Sequence, residues 1–196
     1  RLKEGYGLNG QAIQWIAQQG GRLLITADCG TTSHREIALA NSLGLDVIVT
    51  DHHQVPAEMP AAYALINPYR PDSRYPFQGL CATGLAFKVA QALLEKIFGD
   101  SSASSESGDR LISRLDLVAL ATIADLVPLV GENRYLVKLG LAQLSKNNRI
   151  GIRALKEEAG LKDEVGAGTV GFSLGPRINA AGRLSSADTG VRLLTT

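Results

Sequence analysis

Two cysteines, Cys29 and Cys81, are all that the 196 residues contain, and they form no Cys-x-x-Cys pair. Neither a zinc knuckle nor a disulfide framework is therefore expected, and a reduced, cytoplasmic setting is the default. No apolar run reaches membrane-spanning length, and the opening Arg1-Leu2-Lys3-Glu4 is not a signal peptide, so no membrane partner is expected. Excess charge of one sign is also lacking. A formal net charge of +1 neither supports nor excludes nucleic acid, and any such contact must come from local patches. There is no internal repeat. What the chain does have is 45% hydrophobic residues, which makes it globular and gives it one good core with room for a small second lobe.

In chain order, Asn9 can cap a helix through Gln19, with Ala12, Ile13, Ile16 and Ala17 on one face and Gly20 as the stop. Leu23-Leu24-Ile25 reads as a strand ending at Asp28. Ser33 and Glu36 have the spacing of a capping box, and the helix they open should stop at Gly44. Leu45-Asp46-Val47-Ile48-Val49 is a second strand, ending at Asp51. A strand–helix–strand unit this compact crosses over right-handed, so its strands are parallel and Asp28 and Asp51 share one edge of the sheet. Ala64-Leu65-Ile66 is a third candidate strand, closed by Asn67-Pro68. Thr83 to Phe98 reads as a helix with Leu85, Val89, Ala92, Leu93 and Ile97 inward. Ser101 to Gly108 is serine-rich and reads as a mobile loop. Arg110 to Ala124 is a buried helix delivering Asp125, and Glu132 to Ser145 and Ile152 to Ala159 are two more helices. Gly171 to Arg183 reads either as a shaped loop where arginine forks meet an anion or as a turn between helices. Ala187 onward begins a last helix. The fold class is α/β: a parallel sheet flanked by helices, followed by a helical segment.

Chemistry is expected first at Thr50-Asp51-His52-His53, because ligands of open α/β sheets bind at the carboxyl ends of the strands. The same pattern also fits a plain polar strand end. Asp28 and Asp125 strengthen the functional reading. A carboxylate at the C-terminal end of a helix opposes the macrodipole unless a cation is near. Asp28, Asp51, His52, His53 and Asp125 form an oxygen-rich set with imidazoles, suited to Mn²⁺ or Mg²⁺ rather than structural zinc. Two such ions would clamp a phosphoryl group, and Asp28 is placed to bridge them. Asp28 could instead be only a turn cap. His34 is taken as a solvated first-turn residue, Cys29 as a small buried neighbour of the site, and Asp46 and Asp116 as surface.

Six stretches carry a resemblance: Glu4-Gly5-Tyr6-Gly7-Leu8-Asn9, Thr26-Ala27-Asp28-Cys29-Gly30, Thr50-Asp51-His52-His53, Gly84-Leu85-Ala86-Phe87-Lys88, Ala124-Asp125-Leu126-Val127-Pro128-Leu129 and Gly175 to Arg183. In these the chain resembles the DHH phosphoesterases over nearly its whole length. The first and last stretches resemble the branch that degrades single-stranded DNA.

The resemblance implies a two-metal hydrolase supported by Mn²⁺ or Mg²⁺. It would remove nucleotides from the 5′ end of single-stranded DNA in recombination and repair, with repair or replication proteins as further partners. It implies that Asp28 bridges the metals, that His52 and Asp125 are ligands, and that His53 faces the scissile phosphate. Asp51 would support the histidines, and Arg177, Asn179 and Arg183 would lie along the DNA. The family's first motif, Asp-x-Asp-Gly, and its Gly-Gly-His domain are not in this sequence. Residues 1–130 are therefore expected to be the catalytic domain without its first strand, and residues 131–196 its helical continuation. By themselves these residues should fold without cleaving. The alternatives are an oligoribonuclease or phosphatase acting on short nucleotides, an inorganic pyrophosphatase, and a non-catalytic replication scaffold; intact metal motifs argue against the last.

Overall fold

A computed structural model describes residues 6–99, 106–146, 149–161, 164–184 and 187–196. The chain divides into two compact units, residues 1–86 and 87–196.

In the first unit, α1 (Gly10–Gln18) starts where Asn9 Oδ1 accepts from the Ala12 amide at 2.8 Å, as its sequence predicts. β1 (Leu23–Ala27), α2 (His34–Ser42), β2 (Asp46–Thr50) and β3 (Ala64–Ile66) follow. The strands lie in the order β1-β2-β3, all parallel. The register sets Ala27 opposite Thr50 and Thr50 opposite Ile66. Two hydrogen bonds extend it by one step, Asp28 N to Thr50 O and Asp51 N to Ile66 O, each 3.0 Å. Asp28, Asp51 and Asn67 thus follow the ends of three adjacent strands. Val47 and Val49 of the central strand pack with Ile13, Ile37, Ala40, Leu45 and Leu65 to form the core. Leu23 and Ile25 of β1 instead face outward and are exposed, as is Ala12. Ser33 occupies the cap position of α2 without a side-chain cap bond. Its backbone, at φ −86° and ψ 54°, is off the extended conformation that a capping box needs.

The helix α3 (Ala82–Phe98) buries Gly84 and Leu85, but Ala92, Leu93 and Ile97 are exposed rather than inward. Periodicity selects a stripe; only a facing surface buries it. In the second unit the expected helix from Arg110 to Ala124 is two helices, α4 (Glu106–Ser113) and α5 (Leu115–Ala124). Ser113 Oγ donates to Arg110 O at 2.7 Å next to the break, a local bond that competes with the helical ladder. The end of the expected Ser101–Gly108 loop is helical, since α4 begins at Glu106; residues 101–105 lie outside the described residues.

Around α5 lie α6 (Gly131–Ser145), α7 (Ile150–Glu158), α8 (Ala167–Thr169), a π-helical turn (Val170–Leu174), α9 (Gly175–Leu184) and α10 (Ala187–Thr195). The core joins Ala119, Leu120 and Ile123 to Val137, Leu144, Ile152, Leu155, Val170 and Leu174. The Gly171–Arg183 stretch is accordingly helical, not a shaped loop.

Asp116, expected at the surface, is 6% exposed. Arg149 Nε and Nη2 donate to its two oxygens at 2.8 and 3.2 Å, and Arg149 Nη1 donates to Leu194 O at 2.8 Å. The α5–α6 contact depends on Gly140, where an added Cβ would meet Leu115 O at 2.1 Å and Ala119 Cβ at 2.5 Å. Gly140→Ala would add about 1 kcal/mol of helix propensity. It would also force two backbones apart, at about 1–3 kcal/mol or more. Backbone cannot yield as a side-chain tip does, so net destabilisation is expected; an unchanged urea midpoint would contradict it.

Candidate metal centre

Asp28 follows the last residue of β1, and its φ of 67° is left-handed. Aspartate adopts this region more readily than most residues, because its short carboxylate can bond locally. The turn is fastened from several sides. Tyr6 Oη donates to Asp28 O at 3.1 Å, Thr26 Oγ1 to Cys29 O at 2.6 Å, and Thr50 Oγ1 to Thr26 O at 2.5 Å. Gly30, at φ 118°, lies against Thr26 and Val49, where a Cβ would sit 3.0 Å from Thr26 Oγ1. A side chain there would meet both a forbidden dihedral and a filled space.

Asp51, 2% exposed, organises the adjoining strand end. Its Oδ1 accepts from His52 N at 2.8 Å, His53 N at 3.3 Å and His53 Nδ1 at 2.7 Å, and its Oδ2 accepts from Thr31 N at 3.0 Å. Burial alone would push this carboxyl up, but the hydrogen bonds from Thr31 and His53 outweigh it and hold the group below the ordinary carboxylate range. A carboxylate held low accepts from these donors, and the 2.7 Å contact fixes the His53 ring against Asp51 through Nδ1. Asn67, 4% exposed at the end of β3, braces the far side. Its Nδ2 donates to His53 O at 2.9 Å and Thr31 Oγ1 at 3.1 Å.

A carboxyl held low stabilises the fold above its ordinary pKa of 3.8, and that contribution is lost as pH falls through and below that value. Asp51→Asn should therefore cost about 2–3 kcal/mol near neutrality, the scale of hydrogen bonds to a charged group. The gap from wild type should shrink in acid. Urea unfolding of both proteins across pH 2–7 checks this, and a gap independent of pH would contradict it.

These strand ends bring Asp28, His52 and His53 together, one ligand atom from each lying within 4.8 Å of the others. His52 Nε2 faces Asp28 Oδ1 at 3.0 Å. Adjacent donors in an octahedral shell with bonds of about 2.1 Å are about 3.0 Å apart, so the pair already has the spacing of two ligands to one Mg²⁺- or Mn²⁺-sized ion. The His52 ring is mostly enclosed, with 12% of its side chain exposed, whereas Asp28 at 51% and His53 at 53% are open. Cys29 is half-buried. Burial first, then the charges of Asp51 and Asp28, push its thiol up. The side chains that converge are Asp28, His52 and His53, so the donors are oxygen and imidazole nitrogen, the set that suits these ions. His34 opens α2, partly buried.

The other expected residues belong to the second unit. Asp125 terminates α5 at φ −83° and ψ −4°, and Leu126 after it is left-handed at φ 59° and 87% exposed. Arg177, Asn179 and Arg183 are exposed on α9. Arg177 Nη1 donates to Ser173 O at 2.9 Å, and Arg183 Nε reaches Asn179 Oδ1 at 3.5 Å. Sequence reasoning did not find Thr31 or Asn67. Asn67-Pro68 signalled only the end of a strand, and nothing in the order of residues says that Asn67 meets Thr31.

A protein-family model described as "DHH family, N-terminal domain" matches residues 2–122. The chain is 46% identical to the single-stranded-DNA-specific exonuclease RecJ of Bacillus subtilis over 99% of its length, and 41% identical to that of Escherichia coli over the same share. It spans only 23% and 34% of those two proteins. Among solved structures it resembles exonuclease RecJ bound to manganese, at a TM-score of 0.82 and 36% identity, over 99% of this chain and 46% of that one. It also resembles RecJ of Thermus thermophilus in complex with Mn²⁺, at 0.79 and 34%, over 96% and 27%.

Proposed function

This chain belongs to the DHH family, and from that premise we propose that it serves a metal-dependent exonuclease that shortens single-stranded DNA from the 5′ end. Residues 1–130 would be the catalytic domain and 131–196 its helical continuation. The observation that carries this reading is the Asp28–His52 pair, spaced at 3.0 Å as two ligands of one ion. The likeness to RecJ and to its manganese-bound structures points the same way.

Asp28, His52 and Asp125 would hold Mn²⁺ or Mg²⁺, as the family resemblance implies. Such ions activate water and offset phosphate charge. The chain's own residues do the rest. Asp51 fixes the His53 ring through Nδ1, and His53 would face the scissile phosphate. Thr31 and Asn67 lock that carboxylate and the His53 backbone. Buried donors of this kind keep the reacting groups from drifting, which is where positioning lowers a barrier. Arg177, Asn179 and Arg183 would receive the strand.

The test uses the intact protein with Mn²⁺ and 5′-phosphorylated single-stranded DNA, beside duplex DNA, dinucleotides and pyrophosphate. Stepwise loss of nucleotides from the single strand is expected. Faster turnover of dinucleotides or pyrophosphate would replace this reading with that of a small-substrate phosphatase. Arg177→Ala should weaken single-strand binding and lower the slope of log K against log salt by about 0.7, one phosphate contact. An unchanged slope would remove Arg177 from the path.

A further inference from the structure

Four residues just beyond the ends of the three strands close a ring of hydrogen bonds. Asn67 Nδ2 donates to Thr31 Oγ1 at 3.1 Å and to His53 O at 2.9 Å. Thr31 N donates to Asp51 Oδ2 at 3.0 Å. His53 completes the ring at Asp51 Oδ1, through its backbone N at 3.3 Å and its Nδ1 at 2.7 Å. Thr31, Asp51 and Asn67 are 1%, 2% and 4% exposed, whereas the His53 side chain is 53% exposed. The ring is thus buried and polar, and it presents one open imidazole. Folding alone does not call for it, since apolar groups of the same shape can replace a buried hydrogen-bonded pair at almost no loss. Asn67 is the member that no other side chain of its size replaces. Its single amide nitrogen uses both protons, and its Oδ1 accepts from Tyr69 N at 2.9 Å. Ionised aspartate has no proton to give, serine has one and leucine none.

We propose that Asn67 is a positioning residue for the cleavage step, which holds His53 in place and leaves metal binding to other groups. The proposal rests on the exonuclease reading above and adds to it the step that Asn67 serves. Asp51 supports both histidines, because its Oδ1 also accepts from His52 N at 2.8 Å. The side-chain bonds of Asn67 go to Thr31, His53 and Tyr69, and to neither member of the Asp28–His52 pair. The two bonds from His53 to Asp51 meet at one oxygen, about which the residue can pivot. Asn67 adds a second fixed point at His53 O. Without it the imidazole can swing, and a displacement of about 1 Å at a reacting group costs about 100-fold in rate. The Asp28 turn keeps its own fastening, Tyr6 Oη on Asp28 O, so ion binding should persist.

The intact protein is assayed with Mn²⁺ on 5′-phosphorylated single-stranded DNA, and Mn²⁺ binding is measured separately by electron paramagnetic resonance. Asn67→Leu keeps the shape and removes every side-chain bond. It should lower kcat about 10- to 100-fold and leave KM and the Mn²⁺ Kd unchanged. Thr31→Val removes only the hydroxyl that accepts from Asn67 and keeps the Thr31 N bond to Asp51. It should lower kcat about 2- to 10-fold, the scale of one neutral hydrogen bond. The two losses should not multiply when combined, because both open the same ring. In protein labelled with 15N-histidine, without metal or DNA, the imidazole signals missing from a His53→Gln variant belong to His53. They should broaden or shift in Asn67→Leu.

Wild-type kcat in a folded Asn67→Leu protein would overturn the proposal while leaving the exonuclease reading standing. An equal loss of Mn²⁺ affinity would overturn it too, because Asn67 would then support the whole strand edge and not His53. If Asn67→Leu does not fold, Thr31→Val decides, and an unchanged kcat there would overturn the ring. Failure of wild type to cleave single strands would overturn the exonuclease reading and the cleavage role with it. The His53 signals would still show in that case whether Asn67 holds the imidazole.

Discussion

Asp28→Asn lowers Mn²⁺-supported cleavage by more than about 100-fold and abolishes the tightest Mn²⁺ binding seen by calorimetry or electron paramagnetic resonance: this is the expected result of removing one carboxylate charge. The floor comes from residues that only support metal ligands, whose loss costs about 10- to 100-fold. A direct ligand should exceed that. Asparagine is the informative replacement because Asp28 sits at φ 67°. Asn tolerates the left-handed region as Asp does, so the turn, the Tyr6 bond to Asp28 O and the strand register survive. Alanine would strain the backbone as well and confound the two effects. If Asp28→Asn bound Mn²⁺ as wild type does, the 3.0 Å contact with His52 would be an ordinary ion pair or hydrogen bond and not a ligand pair.

Arg149→Ala is expected to cost about 3–5 kcal/mol, because it leaves the Asp116 carboxylate buried without its partner. Asp116 is 6% exposed and accepts through both oxygens from this one side chain. The same guanidinium holds Leu194 O, so α10 loses an anchor as well. The sign changes if both charges go. Asp116→Leu combined with Arg149→Met should recover most of the stability, since apolar residues of similar volume often replace a buried pair at no loss. Urea unfolding of the single and double variants reads this directly. A single variant within about 1 kcal/mol of wild type would show that water reaches the pair.

The sequence by itself determined the local elements and the sites where chemistry could gather. Asn9 with Gly20, and β-branched runs closed by Asp28 and Asp51, encode their helix and strands within a few residues. The βαβ spacing then forces a parallel pair with both carboxylates at one edge. Signals of that kind act over one turn of helix or one step of strand, so they are legible without the rest of the chain. Tertiary structure decided what depends on a facing surface. Leu93 and Ile97 carry the stripe of a buried helix face and are exposed, whereas Asp116 carries the look of a surface residue and is buried. Gly171 to Arg183 has the composition of a loop and is helical, because Val170 and Leu174 supply a core face that outweighs weak local propensity. Arg149 reaches Asp116 across 33 positions and Asn67 reaches Thr31 across 36. No periodicity links residues so far apart; only the packing that brings them together fixes which donor meets which acceptor.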